Sequence, residues 1–394
     1  MKILHVIGAF DKKLGGTYSA ILSIMAIENE LGYDNEVLSL YSEGQEFDAD
    51  LLQNRVHLFE PSFPYKFNYS AGAYQWLKEH IHNFDLILIH EAWGALAIQT
   101  ARLANSVNTP YAIWPHGSLD PFDLQKKKQL KKVVGKLLIA SMTRNAGAIC
   151  CTSGIEKSVL RTYNKQNNNI NILPLPIDYE AKGDRKTFRE KLGISDDKLV
   201  FLFLSRVDYK KGLDLFLYAY KAFLDETQLS NTKLVIAGKG QPAYEAFIRK
   251  TIHDLNLEAH VVVSGFLTGS GKADAFAGSD CFILPSMNEN YGISVIEALQ
   301  SGLPVLISDN VYIWESIIPN GGWLCKHEVK SITAQISAIY NDFTNNALAD
   351  KKPVLVSEPF RLKSLIPEYR SFYHKMLYKP AESIIVKPQV VAGV

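Results

Sequence analysis

Two carboxylates eight positions apart, Glu289 and Glu297, and two basic residues five apart, Arg206 and Lys211, carry the clearest chemistry in this sequence. Carboxylates accept hydrogen bonds from hydroxyl groups. A guanidinium binds phosphate oxygens bidentately and an ammonium binds them as a point charge. Together these groups describe a site for a molecule that carries sugars and phosphates. Each also has a plainer explanation: Glu289 favours a helix dipole, Glu297 is a solvated helical residue, and Arg206, Lys210 and Lys211 are loop charges in water.

The elements around them decide between the readings. Residues 281–284 form a short apolar run closed by Pro285, which reads as a buried strand. From Gly292 onward Ile293, Ile296 and Leu299 recur at helical spacing. Glu289, Asn290 and Tyr291 therefore fill a strand-to-helix loop, and Glu297 lies two turns further on. Open α/β sheets bind ligands at this carboxyl end of a strand, and the following helix N-terminus suits a phosphate. Arg206 ends another apolar run, 199–205, with Lys211 beyond it.

Gly15 and Gly16 follow the run 3–7 and precede a helix predicted to begin near Thr17 or Tyr18. Two glycines let a backbone approach a phosphate, although a Gly-Gly pair alone also fits an ordinary turn. The pattern is not G-x-G-x-x-G, so a nicotinamide dinucleotide fingerprint is absent. Gly238, Lys239 and Gly240 follow one further strand, and Gly265, Phe266 and Leu267 the next; such loops often frame a base. His116 lies just past the run 111–114, where a lone His is ordinarily a structural hydrogen-bonding residue. His90, Glu91 and the aromatics Phe59, Phe63, Tyr65, Phe67 and Tyr69 are candidates for an acceptor side, with a packed Ω-type loop as the alternative for the aromatics. Asp48 and Asp50 spell D-x-D, but in a polar connection before a helical pattern, where helix capping explains them better. No required metal and no required cofactor are expected.

Strand-like runs at 3–7, 36–40, 86–90, 111–114, 148–152 and 170–173, and again at 199–205, 234–237, 261–264, 281–284 and 305–308, alternate with helical patterns. Such alternation predicts parallel sheets with helices on both faces, and two series predict two doubly wound α/β domains. A length of 394 residues agrees. The seam is placed at Pro174 and Pro176, giving domains 1–178 and 179–359. A helical stripe of Leu365, Tyr369, Phe372, Tyr373, Met376 and Leu377 follows, with Pro367 expected in its first turn or as a break, and then a tail, 380–394. A net charge of +1 argues against a nucleic-acid partner bound through bulk charge. Cys150, Cys151, Cys281 and Cys325 lack metal-ligand spacing and read as small buried hydrophobes in a reducing compartment. Neither a signal-peptide architecture nor an apolar run long enough to span a bilayer is present, so a cytoplasmic location is expected.

The run PSMNENYGISVIEALQSG at 285–302 resembles the Glu-x7-Glu signature of retaining glycosyltransferases of family 4, the group 1 glycosyltransferases. Ser205-Arg206 with Lys211-Gly212, the Gly15–Gly16 turn and His116-Gly117 resemble further elements of that family. The resemblance covers nearly the whole chain and departs from the family pattern at Leu173 to Asp178. It implies a GT-B-type fold of two Rossmann-like domains facing a central cleft, with the last helix, about 360–379, crossing back onto the first domain. It implies that Glu289 contacts the donor sugar, Glu297 the nucleotide ribose, Arg206 and Lys211 the diphosphate, and that His116 faces the reacting sugar. The implied reaction is front-side transfer of a hexose, without a metal, from a nucleotide-diphosphate sugar to a glycan or lipid-linked acceptor in polysaccharide biosynthesis. UDP-glucose is the expected donor from commonness alone. A nucleotide-sugar 2-epimerase on the same fold, or a non-catalytic nucleotide-sugar-binding subunit, are the alternatives.

Lys126, Lys127, Lys128, Lys131, Lys132 and Lys136 crowd one segment, interleaved with Leu130, Val133, Val134, Leu137 and Leu138. A solvated surface helix explains them. The alternative is peripheral contact with anionic lipid on the inner face of the plasma membrane.

Overall fold

The structure is a computed structural model, described here over residues 1–48, 55–63, 67–121, 138–163, 169–318 and 320–378. The lysine-rich segment, Asp50, Tyr65 and the tail lie outside these residues.

Two parallel sheets organise the chain. The first contains β1 (Lys2–Ala9), β2 (Asp34–Leu40), β3 (Val56–Phe59), β4 (Leu86–His90), β5 (Tyr111–Trp114), β6 (Ala148–Cys151) and β7 (Ile170–Ile172), in the order β3-β2-β1-β4-β5-β6-β7. The second contains β8 (Leu199–Leu204), β9 (Thr232–Ala237), β10 (Val261–Gly265), β11 (Cys281–Leu284), β12 (Val305–Ser308) and β13 (Gly322–Cys325), in the order β10-β9-β8-β11-β12-β13. The central strands are continuous apolar runs because helices cover both faces: all six residues of β8 are apolar and its first five are buried. In each sheet the strand order reverses beside the first strand, between β1 and β4 and between β8 and β11. Those two switch points open crevices at the carboxyl edges.

Two strands escape the sequence reading, β3 and β13, and both are edge strands. β3 is only half-buried throughout, so it carries no apolar run. β13 begins at Gly322, where a β-carbon would meet the Val305 carbonyl oxygen at 1.8 Å, so a glycine stands where a strand former was expected. All four cysteines are free and buried.

The helix Leu362–Leu377 packs on the first sheet's side: Tyr369 stacks near Trp114 at 6.5 Å between ring centroids, and the Tyr373 hydroxyl donates to Glu28 at 2.5 Å. Pro367 is neither in its first turn nor a break. The carbonyl that loses its N–H partner there belongs to Lys363, which is exposed to solvent, so the helix continues. The linker between the sheets is anchored along its length. Tyr291 Oη donates to the Leu175 carbonyl (2.8 Å), Tyr369 Oη to Pro174 (3.1 Å) and Gln300 Nε2 to Ile177 (2.7 Å). Among the described residues no helix is long and apolar enough to cross a membrane.

Candidate active site

The second sheet's switch point joins the two motifs that opened the sequence. Gly212 sits at φ +69°, and a β-carbon on it would lie 2.1 Å from the Pro285 carbonyl oxygen. Only glycine allows the β8 loop to press so closely on the β11 loop. Met287 N–H donates to the Lys210 carbonyl at 2.8 Å across the same contact. Lys211 Nζ and Glu289 Oε2 meet as a result, with side chains only 13% and 16% exposed. Glu289 is held from the far side as well: its N–H donates to the Asn310 carbonyl and its carbonyl accepts from Tyr312 N–H, both at 3.0 Å. Arg206, in the same β8 loop, is exposed and has no ion-pair partner among the described residues.

Gly292 caps the helix Ile293–Gln300 at φ +74°, and Ile293 half-buries against the core while opening that helix. One turn on, Glu297 Oε1 accepts from Lys272 Nζ at 2.5 Å. Burial raises the Glu297 carboxyl, and Lys272 opposes that shift. Lys272 lies over the Tyr179 ring at 5.0 Å. Sequence reasoning missed Lys272: its contact with Glu297 spans 25 positions on different helices, and no local spacing announces it.

Other loop residues divide. Tyr291 turns inward to hold the linker rather than facing the crevice, because its buried ring packs edge-on to Phe360 while its hydroxyl reaches Leu175. Asn290 faces the first sheet's side, lining a small cavity with Pro115, Gly117, Asp120 and Glu156. Tyr312 reaches Asp120 across the same junction. Gly238, at φ +153°, takes its place because a β-carbon would strike the Ser205 carbonyl oxygen at 1.9 Å. Phe266 is 65% exposed and Leu267 half-packed on the core, so the β10 loop presents an aromatic ring to solvent at the same carboxyl edge.

On the opposing switch point, Gly15 (φ +69°) and Gly16 open the helix Gly16–Glu30, with no side-chain cap and empty space around both. Asp48 pairs with Lys12 at 2.8 Å and accepts from Tyr18 Oη at 2.9 Å, tying down the turn before Gly15, and the helix it was expected to cap lies outside the described residues. His116 and Glu91 both adopt positive φ, +48° and +72°. Such strain in non-glycine residues clusters at functional sites. Burial raises the Glu91 carboxyl and lowers the His116 imidazole to about 4. His116 Nε2 meets His90 Nδ1 at 2.8 Å. Phe63 and Phe67 are 81% and 50% exposed, and the residues between them lie partly outside the described ones.

Two parallel doubly wound sheets, with charged and glycine-rich loops at both switch points, define a GT-B architecture. Sequence models agree: Glycosyltransferase Family 4 matches residues 29–181 and Glycosyl transferases group 1 matches 184–352. The chain belongs to the family 4, or group 1, glycosyltransferases. An uncharacterized glycosyltransferase of Methanocaldococcus jannaschii is 25% identical over 56% of this chain and 58% of its own length. The alpha-monoglucosyldiacylglycerol synthase of Streptococcus pneumoniae is 25% identical over 74% of this chain and 68% of its own. The solved sucrose-phosphate synthase of Thermosynechococcus elongatus superposes with a TM-score of 0.77 at 16% identity, over 95% of this chain and 99% of that one.

Proposed function

We propose that the chain is a retaining hexosyltransferase that takes a sugar from a nucleotide-diphosphate donor, with UDP-glucose the first candidate. The observation that carries this reading is the Lys211–Glu289 contact, which puts a phosphate-binding cation against a hydroxyl-binding carboxylate at the β8/β11 crevice. Arg206, Lys211 and the N-terminus of Ile293–Gln300 would neutralise the leaving diphosphate, the place where charge develops in the transition state. Glu289 would hold the sugar hydroxyls and Glu297 the ribose, with Gly238, Phe266 and Leu267 framing the base. Gly15 and Gly16 would bring backbone N–H groups to the diphosphate from the other side, and His116 would meet the sugar. Residues 1–178 with the last helix would form the acceptor side and 179–359 the donor side. Closure between them would exclude water from the donor.

Metal independence is part of the proposal, and the engagement of Asp48 by Lys12 and Tyr18 supports it. A glycan or lipid-linked acceptor is supported by the relative named for a glucosyl lipid and by the lysine-rich segment, which would rest on the inner face of a membrane. The epimerase alternative is not favoured, because both family models and both relatives are transferases. Calorimetry with UDP, GDP and ADP followed by hydrolysis and transfer assays with the matching sugars tests the reading. UDP binding and release of an α-configured product are expected. Failure to bind any nucleoside diphosphate, or an inverted anomer, overturns it.

A further inference from the structure

Four titratable side chains stand in one buried file. Glu28 Oε2 meets His5 Nε2 at 2.8 Å, His5 Nδ1 meets His90 Nε2 at 2.9 Å, and His90 Nδ1 meets His116 Nε2 at 2.8 Å. Successive rings lie nearly parallel, 10° and 13° apart. The file runs from the helix Gly16–Glu30 through β1 and the end of β4 to the loop after β5. Its outer end faces the second domain: a β-carbon at Gly117 would lie 3.6 Å from that of Asn290. His116 Nδ1 has no hydrogen-bond partner among the described residues.

Each nitrogen-to-nitrogen link holds one proton, so the polarity of one link dictates the next. Glu28 also accepts from Asn35 Nδ2 at 3.0 Å and from Tyr373 Oη at 2.5 Å, as a carboxylate does. His5 Nε2–H therefore donates to it, His90 Nε2–H donates to His5 Nδ1, and His116 Nε2–H donates to His90 Nδ1. His116 Nδ1 is then a bare lone pair. A proton arriving at that Nδ1 reverses every link. The His116 Nε2 proton passes to His90 Nδ1, and the His90 Nε2 proton passes to His5 Nδ1. The positive charge comes to rest on His5, against the Glu28 carboxylate, and His116 now shows Nδ1–H. Burial disfavours charge on His90 and His116, whereas His5 has the carboxylate beside it. Tyr369 and Tyr373 face the same carboxylate and Cys150 neighbours both tyrosines; burial pushes all three up, so they stay neutral. Arg55 donates to the Asn35 side-chain oxygen at 2.8 Å and to the Asn29 side-chain oxygen at 3.4 Å. Glu91, next to His90, is itself raised by burial.

We propose that Glu28, His5, His90 and His116 form a proton wire that switches His116 between hydrogen-bond acceptor and donor toward a sugar hydroxyl while keeping that ring uncharged. Glu28 and Tyr373 are positioning residues in it. The proposal deepens the proposed site and rests on that reading only for the identity of the group at Nδ1.

The test needs no donor, so its failure is distinct from failure of the donor assignment. Nitrogen-15 NMR of the histidine-labelled full chain, titrated with pH, reports each ring's tautomer. His116 should change from Nε2–H to Nδ1–H in the same step in which His5 becomes doubly protonated, and should itself not become an imidazolium in that step. Glu28→Gln removes the charge that holds the proton, so uptake should move down by about one pH unit or more. Tyr373→Phe removes a donor from the carboxylate, so uptake should move up. Opposite shifts are beyond a merely structural role. Independent titration of the rings, an imidazolium at His116 in that step, or an unmoved transition in Tyr373→Phe overturns the proposal even if Glu28→Gln does not fold.

Discussion

Replacing Glu289 by Gln separates the two duties assigned to the Lys211–Glu289 pair. With side chains 13% and 16% exposed, the pair is better shielded than a surface ion pair, which contributes ~0–1 kcal/mol. A hydrogen bond to a charged partner is worth about 1.5–3 kcal/mol and a neutral one about 0.5–1.5. Exchanging carboxylate for amide therefore loosens the hold on Lys211 by about 1–1.5 kcal/mol. A diphosphate competes with Glu289 for that ammonium, so the weaker competitor should tighten UDP binding about 5- to 10-fold. Transfer should move the other way, by about 100-fold or more, because a contact to the reacting sugar is lost. Calorimetry of UDP at fixed salt and initial rates of donor consumption measure the two effects. The reasoning fails if Glu289→Gln weakens UDP binding as much as Glu297→Gln does.

Glu297→Gln should weaken UDP itself, since the proposed ribose contact is made by donor and product alike, and a UDP titration by calorimetry checks this. Gly212→Ala puts a β-carbon 2.1 Å from the Pro285 oxygen in a left-handed conformation, so thermal unfolding should show a loss above the ~1–2 kcal/mol of left-handed strain alone, with weaker UDP binding. Glu156 is buried, and burial raises its carboxyl against the opposing hydrogen bonds of Thr152 and Asn290. With a raised folded-state pKa the stability is full below the ordinary carboxyl value and is lost as pH rises from there through the raised value. Glu156→Gln should therefore match the wild type in acid and surpass it in melting temperature at neutral pH; a pH-independent difference would contradict this. EDTA should leave donor hydrolysis intact, and a loss restored by added metal would show otherwise.

The central strands were legible because burial on both faces leaves unbroken apolar runs, as at residues 281–284 and 305–308. β3 and β13 were not, because an edge strand needs neither full burial nor strand-forming residues at every position. Glu289 and Lys211 were visible as motif members, but their contact across 78 positions depends on Gly212 meeting Pro285. The inward turn of Tyr291 is invisible in a loop motif, because its partner is a linker carbonyl. Nothing local marks His5 in its strand or Glu28 in its helix; the register of β1 beside β4 sets His5 opposite Leu88, two residues before His90.

The return of Leu362–Leu377 onto Glu28 and Trp114 also bears on the order in which the chain can become native. During synthesis the first seven strands emerge long before Tyr369 and Tyr373 do. Until residue 377 is made, the face around Trp114 lacks its cover and the Glu28 carboxylate lacks its phenol donor. The first half must therefore wait, partly assembled, while the second half folds as a unit. A nascent chain stalled short of that helix should be protease-sensitive around β1 and β5 yet already resistant around β8 and β11.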